Sequence, residues 1–430
     1  MSEMLDAALG VMLPYMNSHP TRPISREMVK GMAHILRNRR LIEPLIRLLV
    51  APHAEYIDEH FEHPLTRGIL ATMAAFLRMT MDATAWPLIY LALIQNVQSA
   101  MFVGGTGALP AALNRFLEAH GGRVRTSAPV EEFVMRGNRV AGVRLEGGEE
   151  LIAREAVITT CNPKVTLTQL LPKGQLPDRL QTRADGIPTA LAKATSLKIN
   201  IALSGKLSLK RHEAWRGDGM DLRHPLIAWH TLEQHVAGWE ALTCNEWPNP
   251  VPLGCVTVPT ATDSTQAPEG QDTFWLWSGV LPIFPNEPWQ KARKRVVMQV
   301  LDDCTNYYDN LYELEIDRSV LGGPELEERF NSPHGNVYHV DPLLFRFGPL
   351  RPAMGFGTYK TPVPGLYLSG AGTHPTGGLC ALPGKFAAET VLREGRSGGR
   401  SPIRRLARRP VPAVPAPTGA PVAGRAPAGV

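Results

Sequence analysis

Apolar residues recur at helical spacing through the first hundred positions. In 28–50, Leu, Ile and Val are interrupted by Arg37, Arg39, Arg40 and Arg47, the pattern of one amphipathic helix with a basic outer face. Such a face is either an ordinary solvated surface or a contact with a membrane surface. Residues 65–81 form a second apolar-rich stretch, and Pro87 starts or bends a third. The region 1–100 therefore reads as helical, facing substrate or a membrane.

The period changes after Phe102. A helical run over 111–119 stops at His120-Gly121-Gly122. Short alternating segments at 123–127, 130–135, 139–145 and 149–153 follow, with Gly137-Asn138 and Gly147-Gly148 as turn signals. An apolar strand over 156–160 ends at Cys161-Asn162-Pro163. Helix, outer strand, antiparallel ribbon and inner strand make 101–170 the later part of a nucleotide-binding α/β domain. Residues 171–345 read as a β-rich substrate domain, with strands at 195–203, 226–229, 255–258 and 273–277 and a helix over 288–309. In 346–396 a strand over 365–370 runs into a glycine-bounded loop and then a helix over 384–394. The remainder, 397–430, is rich in Arg, Pro and Ala, builds no packed core and is expected to be dispensable and disordered.

Charge changes the picture little. The net charge of +5 over 430 residues arises in the tail, because 391–430 holds eight Arg against one Glu. The body is slightly acidic, so nucleic acid is not an expected partner. Five Cys in this length do not make a disulfide framework. The acidic start, Met1-Ser2-Glu3-Met4-Leu5-Asp6, is unlike an export signal. The most apolar run, 86–94, falls short of the roughly 20 residues a span needs. A cytoplasmic chain is expected, with any membrane contact peripheral. His334, His339 and His374 have no zinc spacing, and His60-Phe61-Glu62-His63 is not His-Glu-x-x-His, so no metal is expected.

The candidate chemistry lies in Ser369-Gly370-Ala371-Gly372-Thr373-His374-Pro375-Thr376-Gly377-Gly378. A glycine-rich loop between a strand and a helix brings backbone N–H groups close to a diphosphate, and the next helix N-terminus favours the anion. The usual fingerprint, Gly-x-Gly-x-x-Gly after a first strand, has no copy near the start, and Gly104-Gly105-Thr106-Gly107 does not match it.

With 102–109, His120-Gly121-Gly122, the ribbon to Cys161-Asn162-Pro163 and above all 365–384, residues 101–392 resemble the phytoene-desaturase-related FAD-dependent oxidoreductases. That group includes pyridine-nucleotide-disulfide-oxidoreductase-like proteins and a type of carotenoid ketolase. The resemblance implies an α/β fold: an incomplete Rossmann-like FAD-binding domain of the amine-oxidase/phytoene-desaturase type, a β-rich substrate domain and a helical region. Compared with the family, this chain starts some way into the pattern. The expectation is a truncated chain or one part of a split flavoprotein, with a partner chain supplying the nucleotide-binding unit, or a non-catalytic homologue. The implied activity is hydride transfer from an apolar, isoprenoid or carotenoid-like small molecule to FAD.

By the same resemblance, Gly370, Ala371, Gly372, Thr373, Gly377 and Gly378 lie by the flavin, Val130 passes the adenine, and Thr160 and Cys161 sit near the cofactor. Gly104 and Gly105 open a loop at the boundary of cofactor and substrate regions. His374 is the candidate catalytic residue, an imidazole suited to proton transfer near neutral pH; the alternative is a structural histidine shaping the loop with Pro375. Arg346 or Arg351 pairs with a phosphate or substrate carboxylate, or lies at the surface. Cys161 and Cys380 are expected to be buried in packing. The tryptophans of 215–277 line an apolar channel or fill a core. The loop is expected outside the main core, so that Gly372→Val or Gly378→Val lowers FAD occupancy more than stability.

Overall fold

The computed structural model describes residues 2–96, 100–377 and 380–397. It divides into two units, 1–387 and 388–430. The first carries every sheet. Of the second, the described part is the end of the helix Leu382–Ser397. Gly378 and nearly all of the tail lie outside the described residues.

The helical region holds α1 (Ser2–Met16), α2 (Arg26–Arg37), α3 (Ile42–Val50), α4 (His53–His60), α5 (Pro64–Phe76) and α6 (Ile89–Asn96). The single helix expected over 28–50 is broken. Asn38 leaves helical angles, and a short 3-10 turn, Arg39–Leu41, separates α2 from α3. Pro44 explains part of this: it fits the first turn of a new helix but would remove a bond from the interior of a long one. α2 starts cleanly because the Ser25 hydroxyl accepts from the Met28 N–H at 3.1 Å. α5 is the buried helix, with Leu70 through Ala75 enclosed. Its Gly68 passes the His230 carbonyl so closely that an added Cβ would lie 2.1 Å from the oxygen. No described helix is long and apolar enough to cross a membrane.

α7 (Ala108–Ala119) starts earlier than expected, with Pro110 in its first turn, and has no buried residue. The ribbon follows as β1 (Val130–Arg136), β2 (Arg139–Leu145) and β3 (Glu150–Ile152), antiparallel in that order. Residues 123–127 form no strand. An isolated extended segment has no ladder to join, and among the described residues nothing pairs with it.

The sheet of the expected substrate domain is antiparallel, in the order β6 (Cys255–Thr257), β7 (Thr273–Pro282), β5 (Ala194–Leu203), β8 (Glu315–Leu321). Residues 226–229 contribute only a bridge between Ile227 and Val256. Alternation sends Leu197, Ile199, Ile201 and Leu203 of β5 into a core with Val296, Val300 and Leu301 of the helix Trp289–Cys304. The other face carries Lys198 and Asn200, whose cross-strand partners on β7 are Trp277 and Trp275.

β4 (Val157–Thr159) and β9 (Leu366–Leu368) form a separate parallel pair. The loop after β9 is enclosed rather than peripheral: Ser369 and the run Gly372 to Thr376 are buried. Gly370, at φ +78°, has the Thr160 carbonyl oxygen 2.8 Å from where a Cβ would stand. At Gly372 a Cβ would lie 2.3 Å from Cδ of Pro163. The two loops are thus packed backbone to ring, which overturns the expectation that substitution at 372 spares the fold.

Three histidines are buried where α5 meets the helix Leu232–Thr243. His53 donates Nε2–H to the Leu70 carbonyl at 3.1 Å, His235 Nε2 lies 3.3 Å from the Thr72 hydroxyl, and His230 Nδ1 accepts from Leu253 N–H at 3.3 Å. Burial lowers His53 from 6.5 to about 4 and His235 to about 3, the latter further depressed by His230 and His53.

Two outcomes follow. The unfolded chain protonates His53 and His235 near pH 6.5 while the folded chain resists, so stability is full above that pH and falls as pH drops towards 4. The loss is about 1.4 kcal/mol per pH unit for each histidine, read from denaturant midpoints between pH 7 and 4. His235→Gln flattens that slope. Gly372→Ala, measured the same way at pH 7.5, loses about 1–3 kcal/mol through overpacking against Pro163.

Candidate functional site

The two parallel strands end side by side, which sets Thr160 and Cys161 after β4 against Ser369 to Gly377 after β9. A crevice beyond the carboxyl ends of parallel strands is where open α/β sheets accept ligands. Ser369 N–H donates to Thr159 O at 2.8 Å, joining the strand ends. The Thr373 hydroxyl and N–H both donate to Gly370 O, at 2.9 and 3.1 Å, closing the first turn of the loop.

Arg351 lies beneath this turn, completely buried. Its Nη2 donates to the carbonyls of Ala371 at 2.8 Å, Tyr338 at 3.0 Å and Val340 at 3.0 Å, and its Nε to Thr373 O at 3.2 Å. Desolvation lowers it from 12.5 to about 9, partly offset by Asp341. It is neither a surface residue nor paired to a carboxylate by an ion-pair contact. Arg346 instead donates to Pro352 O at 3.2 Å and lies over the Phe345 ring.

His374 is buried, and both ring nitrogens are committed. Nδ1 accepts from Gly348 N–H at 2.9 Å and Nε2 donates to Ser18 O at 3.1 Å, an assignment made from the hydrogen-bond network. Burial lowers its pKa to about 4, so the ring is neutral at physiological pH. Its carbonyl accepts from the Tyr359 hydroxyl. These contacts match the structural alternative, in which the residue shapes the loop and ties it to the end of α1.

The remaining candidates are placed as follows. Gly370 and Ala371 are half-buried, Gly372 and Thr373 buried, and Gly377 half-buried. A Cβ at Gly377 would meet only Tyr338 Cδ1 at 3.6 Å and Ala371 Cβ at 3.7 Å, ordinary contacts. Thr160 and Cys161 are exposed at the end of β4, and Val130 is half-buried at the start of β1, opposite Leu145. Gly104 and Gly105 donate to Asp263 Oδ2 at 2.9 and 3.2 Å, joining the turn before α7 to the substrate domain. Cys161 and Cys380 are exposed, not packed in the interior as expected, because each sits at a loop edge.

Among the described residues, several buried polar atoms have no partner: Arg351 Nη1, His339 Nδ1 and Thr376 Oγ1, and, on the side chain that donates to Ala194 O, Nε and Nη1 of Arg78. Arg78 and Arg351 both feel Asp341. Two enclosed guanidiniums with unsatisfied N–H groups fit a ligand rich in hydrogen-bond acceptors and partly anionic.

Tyr338 links the loop to the substrate sheet. Its ring lies beside Gly377, its hydroxyl donates to the Phe76 carbonyl, and Phe76 packs on Trp277 with centroids 5.2 Å apart. In register with Trp277 stand Cys255 and Lys198. Lys198 Nζ lies 4.0 Å over the Trp275 ring and donates to Ile199 O at 3.1 Å and to Asn200 Oδ1. Burial lowers it to about 7. A cavity of about 390 Å³ continues along this face, bounded by Asn200, Trp275, Ser319 and Gln266. Sequence reasoning missed Lys198 and Tyr338. The signal for Lys198 was a lone cation alternating with Leu197, Ile199 and Ile201. Of the tryptophans, Trp239 is core, Trp215 is solvent-exposed, and Trp275 and Trp277 face this surface.

The chain is 29% identical over 366 residues to pyridine nucleotide-disulfide oxidoreductase domain-containing protein 2 of Rattus norvegicus, covering 81% of this chain and 61% of that protein. It is 26% identical over 283 residues to the zeta-carotene-forming phytoene desaturase of Myxococcus xanthus, covering 64% of this chain and 49% of that one. It thus spans less than two thirds of the length of these relatives. An oxidoreductase from Methanosarcina mazei has a similar fold, with a TM-score of 0.54 at 14% identity over 87% of this chain and 74% of that chain. The family model of flavin containing amine oxidoreductases matches residues 43–267, which extends the likeness seen in 101–392 back into the helical region. With over half its length matched, this chain, a mixed α/β protein, belongs to the flavin containing amine oxidoreductase family.

Proposed function

We propose that the chain is the substrate-binding and flavin-edge part of an FAD-dependent oxidoreductase acting on an apolar, isoprenoid-like small molecule. The observation that carries this reading is the continuous path from Gly377 through Tyr338 and Phe76 to the Trp277–Lys198 face. When bound, FAD supplies the hydride acceptor. Arg351 and Thr376 would hold it at the β9 loop, with Gly370, Ala371, Gly372, Thr373 and Gly377 as the backbone edge and Thr160 and Val130 as further contacts. His374 is the positioning residue of that loop. Trp275 and Trp277 give the substrate an apolar wall. Lys198, largely uncharged just above neutral pH, offers a proton acceptor on that wall.

A nucleotide-binding unit on a longer form of the protein or on a partner chain completes the site. Three features support this. β4 has β9 as its sole strand neighbour among the described residues, α7 exposes Leu113, Phe116 and Leu117, and Ile158 of β4 is 44% exposed. These apolar positions suit a strand and helix packed against them.

Titrating the chain with its nucleotide-binding unit supplied gives saturable quenching of FAD fluorescence. Gly377→Ala weakens that binding while leaving the thermal midpoint unchanged, because its Cβ meets no close atom. Saturable NADPH binding with no flavin response overturns the assignment. Separately, the rate of acetylation of Lys198 by acetic anhydride rises with a midpoint near pH 7, whereas an ordinary lysine would show about 10.4.

A further inference from the structure

The outer face of α2 has no role in the site just described. No residue of this helix is buried, although α2 packs along α1 with Gly31 against the backbone of Gly10. Met28, Gly31 and Ile35 form the side turned to α1 and are half-buried. Val29, Met32 and Leu36, at i, i+3 and i+7, form a stripe turned away from it, 51%, 45% and 63% exposed. Ile24, just before the helix, is 69% exposed and extends the apolar surface.

Basic residues flank that stripe. Arg26, Lys30 and Arg37 fall roughly a quarter turn round the helix from it at 3.6 residues per turn. None of the three is in an ion pair among the described residues, whereas Arg40 is neutralised by Glu3 of α1 at 2.7 Å. The acidic residue of α2, Glu27, lies on the opposite side from the stripe. Apolar side chains that water disfavours, edged by unpaired cations and free of carboxylates, match one environment: the boundary between anionic headgroups and acyl chains. A protein partner of ordinary composition would not need the cations.

We propose that the outer face of α2 docks on an anionic lipid bilayer, with Ile24, Val29, Met32 and Leu36 entering the interface and Arg26, Lys30 and Arg37 on the headgroups. This holds the whole chain at the surface without a spanning segment. It stands independently of the flavin reading.

Sedimentation of the full chain with vesicles tests it. Binding is expected to phosphatidylcholine vesicles containing phosphatidylglycerol and not to phosphatidylcholine alone, and it weakens with salt. Met32→Glu with Leu36→Glu lowers the partition coefficient about tenfold or more. Arg26→Ala, Lys30→Ala and Arg37→Ala together lower it about 100-fold, at about fivefold each. The thermal midpoints stay unchanged, because every altered side chain is exposed. Absent binding to anionic vesicles overturns the proposal. So does binding that both variants retain, which would assign it to the Arg-rich tail. Concentration-dependent dimerisation that Leu36→Glu abolishes, without vesicle binding, would make the face a contact between copies and equally overturn it.

Discussion

A guanidinium enclosed without a carboxylate against it is costly, and Arg351 is tolerated because backbone oxygens surround it. Its four acceptors come from two segments, 338–340 and 371–373, that have no sheet or helix of their own to hold them. Irregular backbone buried in this way must satisfy its carbonyls somewhere. One side chain does so for both segments and ties the β9 loop to residues 338–340. The glycines at 370 and 372 separately allow that loop to approach Thr160 and Pro163 after β4.

The remainder of the region follows from that arrangement. With the loop seated, Tyr338 is held between Gly377 and Phe76, and the substrate sheet is brought to the same cleft. The sheet itself is an ordinary two-faced layer: one face is sealed by the helix Trp289–Cys304, and the other keeps its tryptophans and a lysine. A cation above an indole in an enclosed space is pulled two ways. The ring's electrons favour the charge, and loss of water opposes it. The loss of water prevails and lowers Lys198 to about 7.

The parts of the fold governed by local pattern were legible in the chain. β5 alternates over 197–203, the ribbon is punctuated by Gly137 and Gly147, and β9 runs into its glycines. Parts governed by distant partners were not. β8, Glu-Ile-Asp-Arg-Ser-Val-Leu, reads as polar because it is the edge of its sheet and half of it faces water. Residues 123–127 have the composition of a strand but lack a ladder. The loop at 370–377 and Arg351 were both visible as candidates, but the place of Arg351 beneath that loop was not, since its bonds go to main-chain atoms that any sequence would provide. The helix break at Asn38 was hidden by continuous apolar spacing, which reports the faces of a helix and not its continuity.

The bond from His374 to Ser18 joins positions 356 residues apart. A chain emerging from the ribosome exposes its first helix long before the loop that this helix must hold has been made. During that interval the end of α1 has no fixed neighbour there, and the crevice does not exist. Assembly of the crevice is therefore a late event in biogenesis, set by the arrival of the C-terminal part rather than by the folding of the helical region. A ribosome stalled, or a message cut, before codon 374 yields the helical region and the four-stranded sheet without the bond that seats the β9 loop on the end of α1.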